Sequence, residues 1–144
     1  MIRKIGLVII MLFLSVNVYA QEPKEEKIFM MNSKSCGYCV KFLNEFYHKW
    51  DKFQIWSMSH EYENIPKIKI PNIIVFTLPP EGKLPEWYIK AKEEKRIPYV
   101  LGTPTFFYWN GNEVVSTVVG YTSPEIFSKS IFNAVAKYKL KEKE

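Results

Sequence analysis

Cys36 and Cys39 are the only cysteines in the chain, and two residues separate them. That spacing lets both sulfurs close a small ring, and it is a redox arrangement when it opens a helix. The first sulfur then sits where unpaired backbone N–H groups and the helix dipole favour an anion. A free thiol ionises near ~8.5; sites of this kind fall to roughly 3.5–7.5. Cys36 is therefore expected to be a thiolate at neutral pH that attacks substrate disulfides. Cys39, one turn on and more enclosed, is expected to resolve the mixed disulfide. Gly37 leaves room for a partner chain. Tyr38 tunes the pair and adds contact surface. As a neutral aromatic it offers the thiolate no fixed positive charge, so a milder oxidant is expected than a Cys-Pro-His-Cys protein. The bland alternative is an inert structural disulfide, but so short a loop removes little chain entropy, which favours redox work. Two thiolates do not complete a zinc site. His48 and His60, the only histidines, read as surface or packing residues, so no metal and no cofactor is expected.

The elements that must hold this pair can be read from hydrophobic patterning. Ile28-Phe29-Met30-Met31 reads as a buried strand, and Asn32 to Ser35 as a polar turn. A helix follows from Gly37, with Val40, Leu43, Phe46, Tyr47 and Trp50 on its apolar face and Ser35 placed to cap it. Residues 54–69 fit either a strand or a continued, kinked helix, and Pro66 and Pro71 break any helix nearby. Asn72 to Leu78 is expected to be a buried strand, and Pro85 to Arg96 a helix. Thr105 to Trp109 and Glu113 to Val119 pair through a tight Asn110-Gly111 turn. Gly120 suits a bulge or a close backbone approach. Ser123 caps a last helix over 124–139, with Ile126, Phe127, Ile131, Val135 and Tyr138 facing inward. This order predicts an α/β fold, a central mixed sheet with helices on both faces.

Of the 144 residues, 47% are hydrophobic and 24% charged, the balance of one globular domain. Residues 1–20 have the layout of a signal peptide. Arg3 and Lys4 start it, an apolar run reaches Val16, and Val18-Tyr19-Ala20 allows cleavage after Ala20. The apolar run is shorter than the ~20 residues of a membrane-spanning helix, although an uncleaved anchor stays open. The domain is then 21–144, with an insertion around 54–71. The net charge of +5, less Arg3 and Lys4, leaves +3. These charges are dispersed, which gives no reason to expect nucleic-acid binding.

Strand, Cys-x-x-Cys and helix, followed later by Gly102-Thr103-Pro104-Thr105 and by Val119-Gly120-Tyr121, resemble the thioredoxin superfamily over about 28–140. The resemblance implies a thioredoxin-like fold and a cis Thr103–Pro104 bond against the cysteine pair. Thr103 and Pro104 would then be the substrate platform, the Thr103 backbone pairing with an extended substrate strand. The chain departs from cytoplasmic thioredoxins in lacking Trp before Cys36, Pro before Cys39 and an acid in the preceding strand. Cys-Gly-Tyr-Cys is instead similar to the motif of exported disulfide isomerases and reductases of the Dsb type, although there is no room for their dimerisation domain.

These readings lead to an exported, periplasmic thiol–disulfide oxidoreductase, a protein-disulfide reductase or isomerase working through Cys36 and Cys39. Its expected partners are exported proteins with disulfides or thiols and a membrane or periplasmic redox donor, the chain being a monomer or small homo-oligomer. The alternatives are a weak oxidase, a reductase dedicated to one client, and a non-catalytic binding module of the same fold.

Overall fold

The computed structural model describes residues 24–62 and 64–143. The expected leader and its cleavage after Ala20 lie outside them. Four strands, β1 (Lys27–Ser33), β2 (Ile73–Leu78), β3 (Thr105–Trp109) and β4 (Val114–Val119), form one sheet in the order β2-β1-β3-β4. The pair β1 and β2 is parallel; β1 with β3 and β3 with β4 are antiparallel. The helices are α1 (Gly37–Glu45), α2 (Trp50–Ser59), α3 (Glu86–Glu93) and α4 (Pro124–Lys141). This is the expected α/β architecture with a mixed central sheet.

Alternation along the two central strands builds a core on each face. Ile28 and Met30 of β1, with Phe106 and Tyr108 of β3, face α1, α2 and α4. Phe29, Met31, Phe107 and Trp109 face α3 through Tyr88 and Ala91. Because β1 and β3 are buried on both faces, both read as continuous apolar runs. The outer strands β2 and β4 are only partly covered. In β2 Phe76 alone is fully buried, so the expected buried strand is an edge strand.

The first face owes its packing to Phe42. Its ring centroid lies 4.8 Å from Phe106, 5.0 Å from Phe127 and 5.3 Å from Tyr121. These are edge-on contacts, the favourable geometry for aromatic quadrupoles. The inward stripe of α1 is Cys39 and Phe42, continued by Phe46, Trp50, Phe53 and Ser57. Val40 and Tyr47, expected inside, are exposed. The rest of the expected face holds: Phe46 and Trp50 are buried, and Leu43 packs partly buried against the core.

The ambiguous segment is helical to Ser59. A single 3-10 turn at Tyr47–Lys49 joins α1 to α2. The chain then folds back along α2. Ile68 N–H donates to Ser57 O at 3.1 Å, Gln54 Nε2 to Ile70 O at 2.7 Å, and Trp50 Nε1 to Pro71 O at 3.1 Å. These bonds satisfy backbone carbonyls in a segment without regular partners.

Three further expectations are corrected. The β3–β4 turn is centred on Gly111 and Asn112, one residue later than expected. Asn110 N–H donates to Glu113 O, and the Asn110 carboxamide oxygen accepts from Asn112 N and Glu113 N. The pairing then slips between Tyr108 and Trp109, so that Trp109 faces Val114. The helix α3 ends at Glu93, not at Arg96, because Lys95 turns left-handed at φ 58° and Arg96 N–H closes on Ala91 O at 2.8 Å. On α4, Ile126 points outward and Phe132 inward. Ser123 caps that helix as expected, its hydroxyl accepting from Ile126 N.

Replacing Phe42 by Ala is expected to cost about 3–5 kcal/mol of unfolding free energy, the range for deleting a buried Phe. Replacing exposed Val40 by Ala should stay within about 0.5 kcal/mol. Guanidinium unfolding of the two variants checks the phase of the helix directly.

Candidate functional site

The site lies at the C-terminal end of β1, where the chain turns into α1. Cys36 N–H donates to Ser33 O at 3.0 Å and closes that turn. Cys36, not Ser35, is the N-cap residue: its backbone is extended at φ −89° and ψ 106°. The Cys39 N–H points at Cys36 Sγ, 3.1 Å away. A cap ordinarily offers an oxygen to the free N–H groups of the first turn. Here a sulfur takes that place. Backbone donors and the dipole at a helix start favour negative charge. The expected cap at Ser35 is wrong by one residue, and that hydroxyl instead meets Ser33 Oγ at 3.2 Å.

Cys36 and Cys39 are joined as a disulfide, their Cα atoms 5.2 Å apart. The two sulfurs are not equivalent. Cys36 is half-buried at the surface, whereas Cys39 is fully buried in the core with Phe42 and Met30. The difference follows from the helix: Cys39 lies on the inward stripe and Cys36 caps the end.

Thr103 and Pro104 come to the same place from the start of β3, the strand paired with β1. The Thr103–Pro104 peptide is cis, as the resemblance implied, and Thr103 O lies 3.2 Å from Cys36 Sγ. Pro104 is buried at the start of β3 and Thr103 is half-buried. A second cis bond, Leu78–Pro79, was not anticipated. It ends β2 beside β1, where Leu78 pairs with Ser33. Lys34 and Glu81 form an ion pair between the two turns there.

Gly37 is exposed, and a Cβ there would meet nothing within 4 Å. The fold itself does not demand a glycine, so the open space beside Cys36 lies toward solvent. Tyr38 is 62% exposed and forms one wall of a groove of about 290 Å³. Pro104, Val119, Tyr121 and Ile126 form the others. The sequence pattern marks Val119-Gly120-Tyr121 but not the groove, because the helical spacing of Ile126 matches a core position although its side chain is exposed. Gly120, at φ 85°, allows the close approach in which its N–H donates to Pro104 O at 2.8 Å.

Helix α1 grips the groove from below. Lys41 Nζ donates to Thr122 O at 2.8 Å, and Tyr121 OH donates to Glu45 Oε2 at 3.1 Å. Burial, helped by the Glu45 carboxylate, pushes the Tyr121 phenol up to about 12. His48 and His60 are exposed and away from the cysteines; His60 stacks on Trp56 with ring centroids 5.5 Å apart. Among the described residues no cluster of His, Cys, Asp and Glu gathers that could hold a metal ion.

Residues 14–134 match the thioredoxin-like domain family. No curated protein matches the chain. Among solved structures, the periplasmic thioredoxin SoxS from Paracoccus pantotrophus is 14% identical, with 77% of this chain and 99% of that one covered and a TM-score of 0.48. StoA from Bacillus subtilis is 14% identical, covering 76% and 84%, with a TM-score of 0.44. Thioredoxin F from spinach chloroplast is 21% identical, covering 77% and 71%, with a TM-score of 0.42.

The raised Tyr121 phenol sets an alkaline limit. An unfolded tyrosine loses its proton near 10, while the folded one keeps it to about 12. The native state then binds the extra proton, so stability is intact below pH 10 and falls as pH rises through that window. Urea unfolding across pH 9–12 should show a shallower decline for Tyr121→Phe. Tyr88, Tyr108 and Tyr138, also raised by burial or a neighbouring carboxylate, should leave a residual slope.

Proposed function

The chain belongs to the thioredoxin-like domain family, and from that premise we propose that it is a thiol–disulfide oxidoreductase in which Cys36 is the nucleophile and Cys39 the resolving thiol. One observation carries the reading: the more accessible sulfur caps a helix and accepts its N–H at 3.1 Å, while the second sulfur is sealed behind it.

The reaction runs in two exchanges. The Cys36 thiolate attacks one sulfur of a substrate disulfide. A Cys36–substrate bond forms as the substrate bond breaks, and the departing sulfur leaves with the electron pair and takes a proton from water. Cys39 then releases its proton, attacks Cys36 and expels the second substrate sulfur, which is protonated in turn. The substrate has gained two electrons and become two thiols. The chain has lost two electrons and carries the Cys36–Cys39 disulfide until a dithiol donor resets it. The reverse sequence oxidises a substrate dithiol.

Thr103 and Pro104 supply the platform for an extended substrate segment, the Thr103 carbonyl lying beside the attacking sulfur. Gly37 leaves that approach open, and Tyr38 contacts the substrate from the groove wall. Reductase or isomerase work is the favoured direction, supported by the likeness of Cys-Gly-Tyr-Cys to the exported Dsb-type motif and by the lack of a fixed positive charge at Tyr38. Export is supported by the positive start, the apolar run and the small residue at Ala20. The proposed setting is thus the periplasm, with exported proteins as substrates and a membrane or periplasmic dithiol protein as donor.

Cys36→Ser should abolish insulin reduction by dithiothreitol-fed protein. Cys39→Ser should accumulate mixed disulfides on Cys36 that resolve only with added thiol, seen as shifted bands on non-reducing gels. Full turnover in both variants, with no trapped species, would contradict the dithiol mechanism and favour a binding module.

A further inference from the structure

Thr105 is the first residue of β3, pairs with Met31 and Val119, and is buried. A valine would suit both the strand and the buried surroundings. The hydroxyl is therefore not explained by the sheet. It donates instead to Gly102 O at 2.6 Å, reaching back across the cis peptide. On the other side of that peptide, Gly120 N–H holds Pro104 O at 2.8 Å. The carbonyls before and after Thr103 are thus both tied. Of the approaching loop, Ile97 and Val100 pack on the core, while Tyr99 is 89% and Leu101 92% exposed.

We propose that Thr105 is a positioning residue whose hydroxyl fixes the Thr103 peptide in the orientation that docks a substrate strand beside Cys36. This rests on the dithiol reading above. The tie acts before the substrate arrives. A loop already held in its docking geometry loses less freedom on binding than one that must be ordered by the substrate. When the donor is removed, Gly102 O turns to water, since Gly102 is exposed. The fold is then little disturbed, but the Thr103 peptide becomes free to rotate. A long peptide substrate needs that peptide, whereas a small disulfide needs only the Cys36 sulfur. The two kinds of substrate should therefore respond differently.

The test compares Thr105→Val and Thr105→Ser with the unchanged protein, each checked for folding by circular dichroism. The Val variant should raise KM for a peptide disulfide about tenfold, the size of one lost hydrogen bond, with kcat within about twofold. Its rate with hydroxyethyl disulfide and its Cys36 ionisation should be unchanged. Thr105→Ser, which keeps the hydroxyl, should restore the peptide KM. If the Val variant does not fold, Thr105→Ala replaces it in the same comparison. An unchanged peptide KM in an active protein overturns the proposal, as does an equal loss on both substrates. Absence of turnover in the unchanged protein would remove the dithiol reading itself, and the proposal with it.

Discussion

A single hydrogen bond, from the Cys39 amide to the Cys36 sulfur across 3.1 Å, is the contact on which the chemistry depends. Its strength comes from position. The first turn of any helix has backbone donors without partners, and this chain places a polarizable sulfur where a capping oxygen ordinarily sits. In the oxidised state the donor faces a disulfide sulfur. In the proposed reaction the reduced state presents it with a thiolate, and hydrogen bonds to ionised acceptors are roughly twice as strong as neutral ones. On that proposal the interaction is stronger in the reduced, nucleophilic state than in the disulfide.

That geometry is only as firm as the helix that provides it. Helix α1 is nine residues long, too short to persist alone in water. Its place is set by Phe42 among Phe106, Tyr121 and Phe127, one turn beyond Cys39. The same ring cluster brings together β3, which follows Pro104, and α4, which lines the groove. Packing thus delivers three separate chain segments to one end of the central strands. Hydrogen bonds then complete the fit: Lys41 to Thr122, Gly120 to Pro104, and Thr105 to Gly102.

The central strands, the last helix and the redox pair could be read from the sequence because each carries a strong local signal. Runs such as Phe106-Phe107-Tyr108-Trp109 admit few other readings, and Cys-x-x-Cys after a strand localises the site without coordinates. The errors have local causes. The stripe 39, 42, 46, 50, 53 and 57 has a regular helical spacing, but it starts on a cysteine whose redox spacing hides its place in the core. Ser35 looked like the cap because serine is a better cap than cysteine, and one residue separates them. The strand β2 is as apolar as a central strand, and its edge position depends on which neighbours pair. The bond from the Thr105 hydroxyl to Gly102 O leaves no mark in composition or periodicity, because threonine is equally at home in a strand.

The most direct measurement is the ionisation of Cys36 in the reduced protein, followed by thiolate ultraviolet absorbance in a Cys39→Ala background, which isolates one sulfur and keeps the backbone amide. The account predicts a midpoint well below the ~8.5 of a free thiol. A midpoint at or above that value would show that the helix start does not stabilise the anion, and would contradict the account at its base.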